Sequence, residues 1–264
     1  MTETRTRVER DGRGVVTVWL ARPAKNNAYD GQMISELIDG IGALAGDDAA
    51  RAVVLRGEGR HFQAGADLGW IRSLREAGEE ENITVSERTT QAVHGLMRLP
   101  KPVIALVHGG CFGGGTGIAA ACDLVIAEET AVFSITEARW GLIPDPIVPP
   151  LMARMGAGRL RRYALTCERF GARRAFELGL VDEVCPEGGL DAAAAPLIDA
   201  LLHCAPEALA QTKRGMLRLA GLDYSAAQLA AMARPHAMKR LSEEAEEGLR
   251  SFLEKRKPAW YPGQ

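Results

Sequence analysis

Lys101-Pro102-Val103-Ile104-Ala105-Leu106-Val107-His108-Gly109-Gly110-Cys111-Phe112-Gly113-Gly114-Gly115-Thr116-Gly117 reads as a short apolar strand that leads into a glycine-rich turn and then a helix. A segment of the same design precedes it, Gly57-Glu58-Gly59-Arg60-His61-Phe62-Gln63-Ala64-Gly65-Ala66-Asp67-Leu68. Such turns leave backbone N–H groups free at a helix start, where the helix dipole also favours negative charge. Two of them facing each other hold one oxyanion between two amides. Glu137 lies twenty residues beyond Gly117 and is the carboxylate placed to carry a proton. The combination points to acyl-thioester chemistry through an enolate. Taken singly, either segment also fits a plain strand–helix turn; the pair points to a site.

Outward from these segments, Val15–Leu20, Ala52–Leu55, Val103–Val107 and Leu124–Ile126 are short, β-branched and bounded by turn residues, so strands are expected there. Gly31–Leu44 and Asn82–Leu99 carry apolar residues at helical spacing. Strands alternating with helices indicate an α/β unit. From Pro149 onward the pattern becomes helix after helix: Leu151–Met155, Arg159–Leu165, Ala172–Leu178, Leu190–His203, Pro206–Leu219, Ser225–Met238 and Ser242–Lys255. Pro196, Pro206 and Pro235 bias this half toward breaks or first turns. Asp67–Asn82, with Gly69, Trp70, Gly78 and three consecutive glutamates, reads as a mobile pocket wall, in which Trp70 either faces the acyl chain or is an ordinary core tryptophan.

With 264 residues, 47% of them hydrophobic, the chain can bury a sizeable core. A net charge of −2 gives no reason to expect nucleic acid or an anionic membrane as partner. The five cysteines are odd in number and widely spread, which indicates neither a zinc site nor a disulfide framework; Cys111 reads as packing beside the turn. No metal site is expected. The first residues carry no apolar targeting core and no run approaches a membrane span, so a cytoplasmic, reducing compartment is expected. His61 and His108 have no paired serine or acid at a recognisable spacing and read as structural.

The two glycine segments, with Leu20-Ala21-Arg22-Pro23-Ala24-Lys25-Asn26-Asn27-Ala28 before them and Phe252-Leu253-Glu254-Lys255-Arg256-Lys257-Pro258 after, resemble the crotonase superfamily, the enoyl-CoA hydratase and isomerase family. The resemblance covers nearly the whole chain. It implies an α/β fold, a crotonase-like spiral of β-β-α units over residues 1–190 with the CoA and oxyanion site. Residues 191–264 would form a C-terminal helical trimerisation region, giving a homotrimer or dimer of trimers. It implies no permanently bound cofactor, coenzyme A entering as part of the thioester substrate. Matched position by position, the N–H groups of Ala66 and Gly114 form the oxyanion hole and Glu137 is the catalytic acid–base. On the CoA side it implies Lys25, Ala64, Asp67, Leu68, Phe252 and Lys255, with the Ala64 carbonyl toward the adenine amine.

The sequence departs from the family pattern at one telling position. Two-acid hydratases of this family carry a first glutamate three residues after the oxyanion glycine, where this chain has Gly117. The expected consequence is a lost water-holding carboxylate and extra space beside the acyl chain. Glu137 alone then serves a Δ3,Δ2-enoyl-CoA isomerase, or delivers water in a hydratase with a wider pocket, or activity is lost and the protein only binds acyl-CoA. Asp145 stands where dienoyl-CoA isomerases of the family carry a catalytic aspartate, and between Pro144 and Pro146 it equally fits a turn. The segments around Gly117, Arg139-Trp140-Gly141-Leu142 and Arg161-Arg162-Tyr163-Ala164-Leu165-Thr166 resemble a bacterial hydratase branch acting on methylglutaconyl-CoA and related branched glutaconyl-CoAs from leucine or acyclic terpene breakdown. A carboxylated acyl group would need a nearby cation, for which Arg139, Arg72 and Arg75 are candidates.

Overall fold

The computed structural model describes residues 3–263. Its main sheet has six strands: β1 (Thr6–Arg10), β2 (Val15–Leu20), β3 (Ala52–Gly57), β4 (Val103–Val107), β6 (Leu124–Glu128) and β9 (Glu183–Cys185), adjacent in that order. All neighbours pair in parallel except β1, which runs antiparallel to β2 at the edge. The parallel strands are near-continuous apolar runs because both faces are covered, and successive side chains serve opposite faces. Val16, Val53, Leu55, Val103, Ala105 and Val125 join the principal core. Val15, Val54, Ile104, Leu106 and Ile126 point the other way, onto Leu190, Ala194 and Ile198 of α8 (Leu190–His203).

A smaller sheet made of β5 (Gly110–Phe112), β7 (Val132–Ser134) and β8 (Phe170–Gly171) forms a second layer. Single bridges from Gln63 to Cys111 and from Tyr29 to Ala66 extend that layer through the earlier turns. Each turn of the spiral thus supplies one long strand to the main sheet and a short extended segment to the second layer. The helices α1 (Gly31–Ala45), α2 (Leu68–Ser73), α3 (Gly78–Arg98) and α4 (Gly114–Ala121) follow these short segments or return from them.

The second half is not helix after helix. After α5 (Val148–Met155) and α6 (Ala157–Thr166), β8 precedes α7 (Ala172–Leu178) and β9 separates α7 from α8, strands of two and three residues too short to show a period. α9 (Pro206–Leu219), α10 (Ala226–Arg240) and α11 (Glu243–Leu253) complete the chain. α10 packs along α3, and α11 packs on α2 and on the 3₁₀ turn Glu137–Trp140.

The segment expected as a mobile wall forms two helices. Asp67 caps α2 by accepting from the Gly69 and Trp70 N–H groups. The three glutamates fill the first turn of α3, where the dipole favours them. The buried Asn82 amide donates to the Leu74 and Gly78 carbonyls and ties the two helices together.

Candidate active site

The two glycine turns do face each other. Gly65 has φ +87°, and a Cβ there would stand 3.2 Å from the Phe112 carbonyl oxygen, so only glycine allows the first turn to lie this close to the second. The Gln63 side chain locks the first turn, its Oε1 accepting from the Gly65 N–H at 2.7 Å. Tyr29 is the plate beneath both: its backbone pairs with the Ala66 segment, and its ring lies against Gly114. The Ala66 N–H, in the gap between the Gly65 and Asp67 ladder bonds, and the Gly114 N–H, at the first position of α4, donate to no described residue. Both residues line one cleft of about 270 Å³.

Glu137 lines the same cleft. It opens a 3₁₀ turn after β7, and β7 is held beside β5 in parallel register, Phe112 opposite Ser134. Gly113, at φ +51°, is where the approach is closest: a Cβ there would meet Glu137 Oε1 at 3.0 Å and Thr136 Oγ1 at 2.9 Å. Glu137 Oε2 is sealed from solvent and has no hydrogen-bond partner. Burial pushes its carboxyl up to about 7, against the lowering effect of the backbone N–H groups of Glu137 and Thr136. The same burial, reinforced by the nearby Glu137 charge, raises the Tyr29 phenol far above its ordinary value, so Tyr29 stays neutral.

The cleft therefore gathers Ala64, Ala66, Leu68, Gly114, Glu137 and Phe252 of the expected set. The Ala64 carbonyl accepts from no described residue. Phe252, on α11, stacks edge-on against Trp140 at 4.7 Å and closes one wall. Lys25, Asp67, Asp145 and Lys255 are not in that wall. Lys25 is exposed at the end of a 3₁₀ turn. The Asp67 carboxylate is committed to the α2 cap and to an ion pair with Arg22 at 2.9 Å, which hold it below its usual range despite burial. Asp145 opens the 3₁₀ turn before α5, and only its neighbours Pro144 and Pro146 reach the cleft. Lys255 follows α11 at φ 52°.

One further expectation is corrected and two are narrowed. Gly117 opens no space beside the acyl chain, because a Cβ there would meet Ile147 Cγ2 at 2.0 Å; the Ile147 side chain occupies the room a longer residue would take. Of the two readings of Trp70 the packed one holds: it lies edge-on to Tyr29 at 6.2 Å, and Leu68 and Ile71 of α2 form the wall. Of the candidate cations, Arg75 is bound to the Arg240 and Ser242 carbonyls and to Glu246, and Arg72 is exposed outside the cleft. Arg139 does reach the cleft, with Nη2 on the Cys167 carbonyl.

His61 Nδ1 accepts from the Gly110 N–H, and His108 Nε2 pairs with the Gly59 carbonyl; His61 also lines the cleft. Sequence reasoning missed His236 and Arg240, both buried on α10 and both in the cleft wall. Their signal is faint. Ala233, His236, Ala237 and Arg240 recur at helical spacing, so two ionisable groups share the buried face of α10 with alanines.

The sequence profile of the Enoyl-CoA hydratase/isomerase family matches residues 10–263. The chain belongs to this family. An enoyl-CoA hydratase structure from Shewanella pealeana superimposes with a TM-score of 0.79 at 37% identity, covering 97% of this chain and 96% of that one. One from Mycobacterium avium gives 0.85 at 32% identity, covering 98% and 100%. The hydroxycinnamoyl-CoA hydratase-lyase of Pseudomonas fluorescens is 33% identical over 91% of this chain and 89% of its own. Family members at this coverage share the whole spiral, so the two glycine turns and the Glu137 turn are parts of one crotonase fold.

Proposed function

We propose that this protein is an enoyl-CoA hydratase that adds water across the double bond of a 2-enoyl-CoA thioester. The observation that carries this reading is the unpartnered Glu137 Oε2, on a carboxylate set against Gly113, in the cleft that also receives the free N–H groups of Ala66 and Gly114. The thioester oxygen accepts from those two amides. Ionised Glu137 takes a proton from water as the water oxygen bonds to C3. The C2–C3 π pair moves onto the thioester as an enolate, and the same proton passes from Glu137 to C2. Each oxyanion donor is worth about 3 kcal/mol in comparable sites. Coenzyme A belongs to the substrate, with its adenine toward the Ala64 carbonyl and Lys25 and Lys255 at the surface near its phosphates.

A second reading is favoured by Gly117 and Ile147. With no second carboxylate at that position, Glu137 is suited to carry one proton from C2 to C4, the reaction of a Δ3,Δ2-enoyl-CoA isomerase. In either case Glu137→Gln should lower kcat by about 10²–10⁴-fold, measured with enoyl-CoA at saturation; turnover within a few-fold of wild type would refute the role. The finer substrate reading is a branched glutaconyl-type thioester. The assembly is read as a trimer or dimer of trimers.

A further inference from the structure

Arg240 is only 1% exposed, yet no carboxylate lies within ion-pair distance of it among the described residues. Its bonds go to neutral acceptors: Nε to Asn82 Oδ1 at 3.1 Å, and Nη2 to the Asn82 carbonyl at 2.6 Å and Ser86 Oγ at 2.8 Å. Nη1 bonds to no described residue and is not sealed from solvent, and the residue lines the cleft. Ser86 is itself fixed by His236 Nδ1 at 2.8 Å, so the guanidinium is held rigidly. Burial pulls the Arg240 pKa down to about 10, which leaves it charged at neutral pH. His236, beside it, is held neutral by burial, its value lowered to about 3. A buried charge without a counter-ion is costly, and here its open side is the ligand cleft. The other cations of the wall, Arg139 and Arg169, are exposed at the surface, where Arg139 bonds to the Cys167 carbonyl and Arg169 lies over the Phe112 ring.

We propose that Arg240 receives a carboxylate at the far end of the acyl group, so that the cleft selects acyl-CoA thioesters with a terminal carboxylate over neutral ones. This rests on the acyl-CoA reading of the cleft but not on the hydration step. The planar guanidinium offers a free N–H at Nη1 for a charge-assisted bond that an alkyl terminus cannot return.

The test is calorimetric titration with saturated esters that cannot be hydrated: glutaryl-CoA against its neutral isostere 5-methylhexanoyl-CoA, and adipyl-CoA against 6-methylheptanoyl-CoA. The wild-type protein should bind the carboxylated member of at least one pair about 10–100-fold more tightly. In Arg240→Met that ratio should fall toward one. Arg240→Gln, which keeps a donor toward Asn82, should show the same fall if the methionine variant does not fold. Equal or tighter wild-type binding of both neutral esters overturns the proposal, as does a ratio that survives the loss of the guanidinium. If all four esters fail to bind, the acyl-CoA reading itself falls; if they bind without preference and enoyl-CoA is still hydrated, only the Arg240 assignment falls.

Discussion

Glu137 joins the chemistry to the stability of the free protein. Its folded-state pKa is raised to about 7 by burial, from an ordinary carboxyl value of 4.5. Between those two values the folded protein binds more protons than the unfolded chain, so stability falls as pH rises through this window. At about 1.4 kcal/mol per pKa unit, the cost of the charged carboxylate above pH 7 is about 3 kcal/mol. Glu137→Gln should therefore raise Tm at pH 8 and leave it nearly unchanged at pH 4.5. Equal Tm differences at both values would contradict the buried-charge account. Because the ionised form accepts the first proton, kcat/KM should rise with pH through about 7, a sign that hydration and isomerisation share. Glu137 was legible in sequence because its distance from the glycine turn is fixed by the short run through α4, β6 and β7, the last of which returns to pair with β5 beside the turn. Arg240 was not, because its environment is made by α3, more than a hundred residues earlier in the chain.

At the scale of elements, the 3₁₀ turn before α5 explains the absent first glutamate. Ile147, 3% exposed, fills the volume beside Gly117 on α4, so the two positions form a size-matched pair. Gly117→Glu would force a carboxylate into that contact; overpacking alone costs about 1–3 kcal/mol, and the buried charge adds to it. The variant should lose Tm and gain no hydration rate. A variant with wild-type Tm and faster turnover would show that the glutamate fits after all. Sequence periodicity found β2, β4, α1, α7, α8 and α9 nearly to the residue, because long or fully apolar segments carry their own pattern. It missed β5, β7, β8 and β9, whose two or three residues are strands only because of the neighbours they pair with. It missed β1 because its charged, exposed residues blunt an edge rather than join the core.

For the whole molecule, the spiral order of turns was readable from the family resemblance, whereas the roles of the terminal helices were set by tertiary packing. α8 belongs to the sheet's outer face, and α10 and α11 wall the cleft. Apolar side chains remain uncovered on α6, α7 and α9: Leu165 is 73% exposed and Leu219 85%, and Phe176 and Met216 are exposed as well. Light scattering should give three or six times the 28.4 kDa chain mass; a monomer at micromolar concentration would remove that part of the account. The central claim is tested most directly by following the absorbance of the conjugated enoyl-thioester with paired 2-enoyl- and 3-enoyl-CoA substrates. The account predicts loss of signal from the 2-enoyl substrate as water adds to C3. Signal gained from the 3-enoyl substrate, with none lost from the 2-enoyl, would contradict it and make Glu137 the proton shuttle of an isomerase.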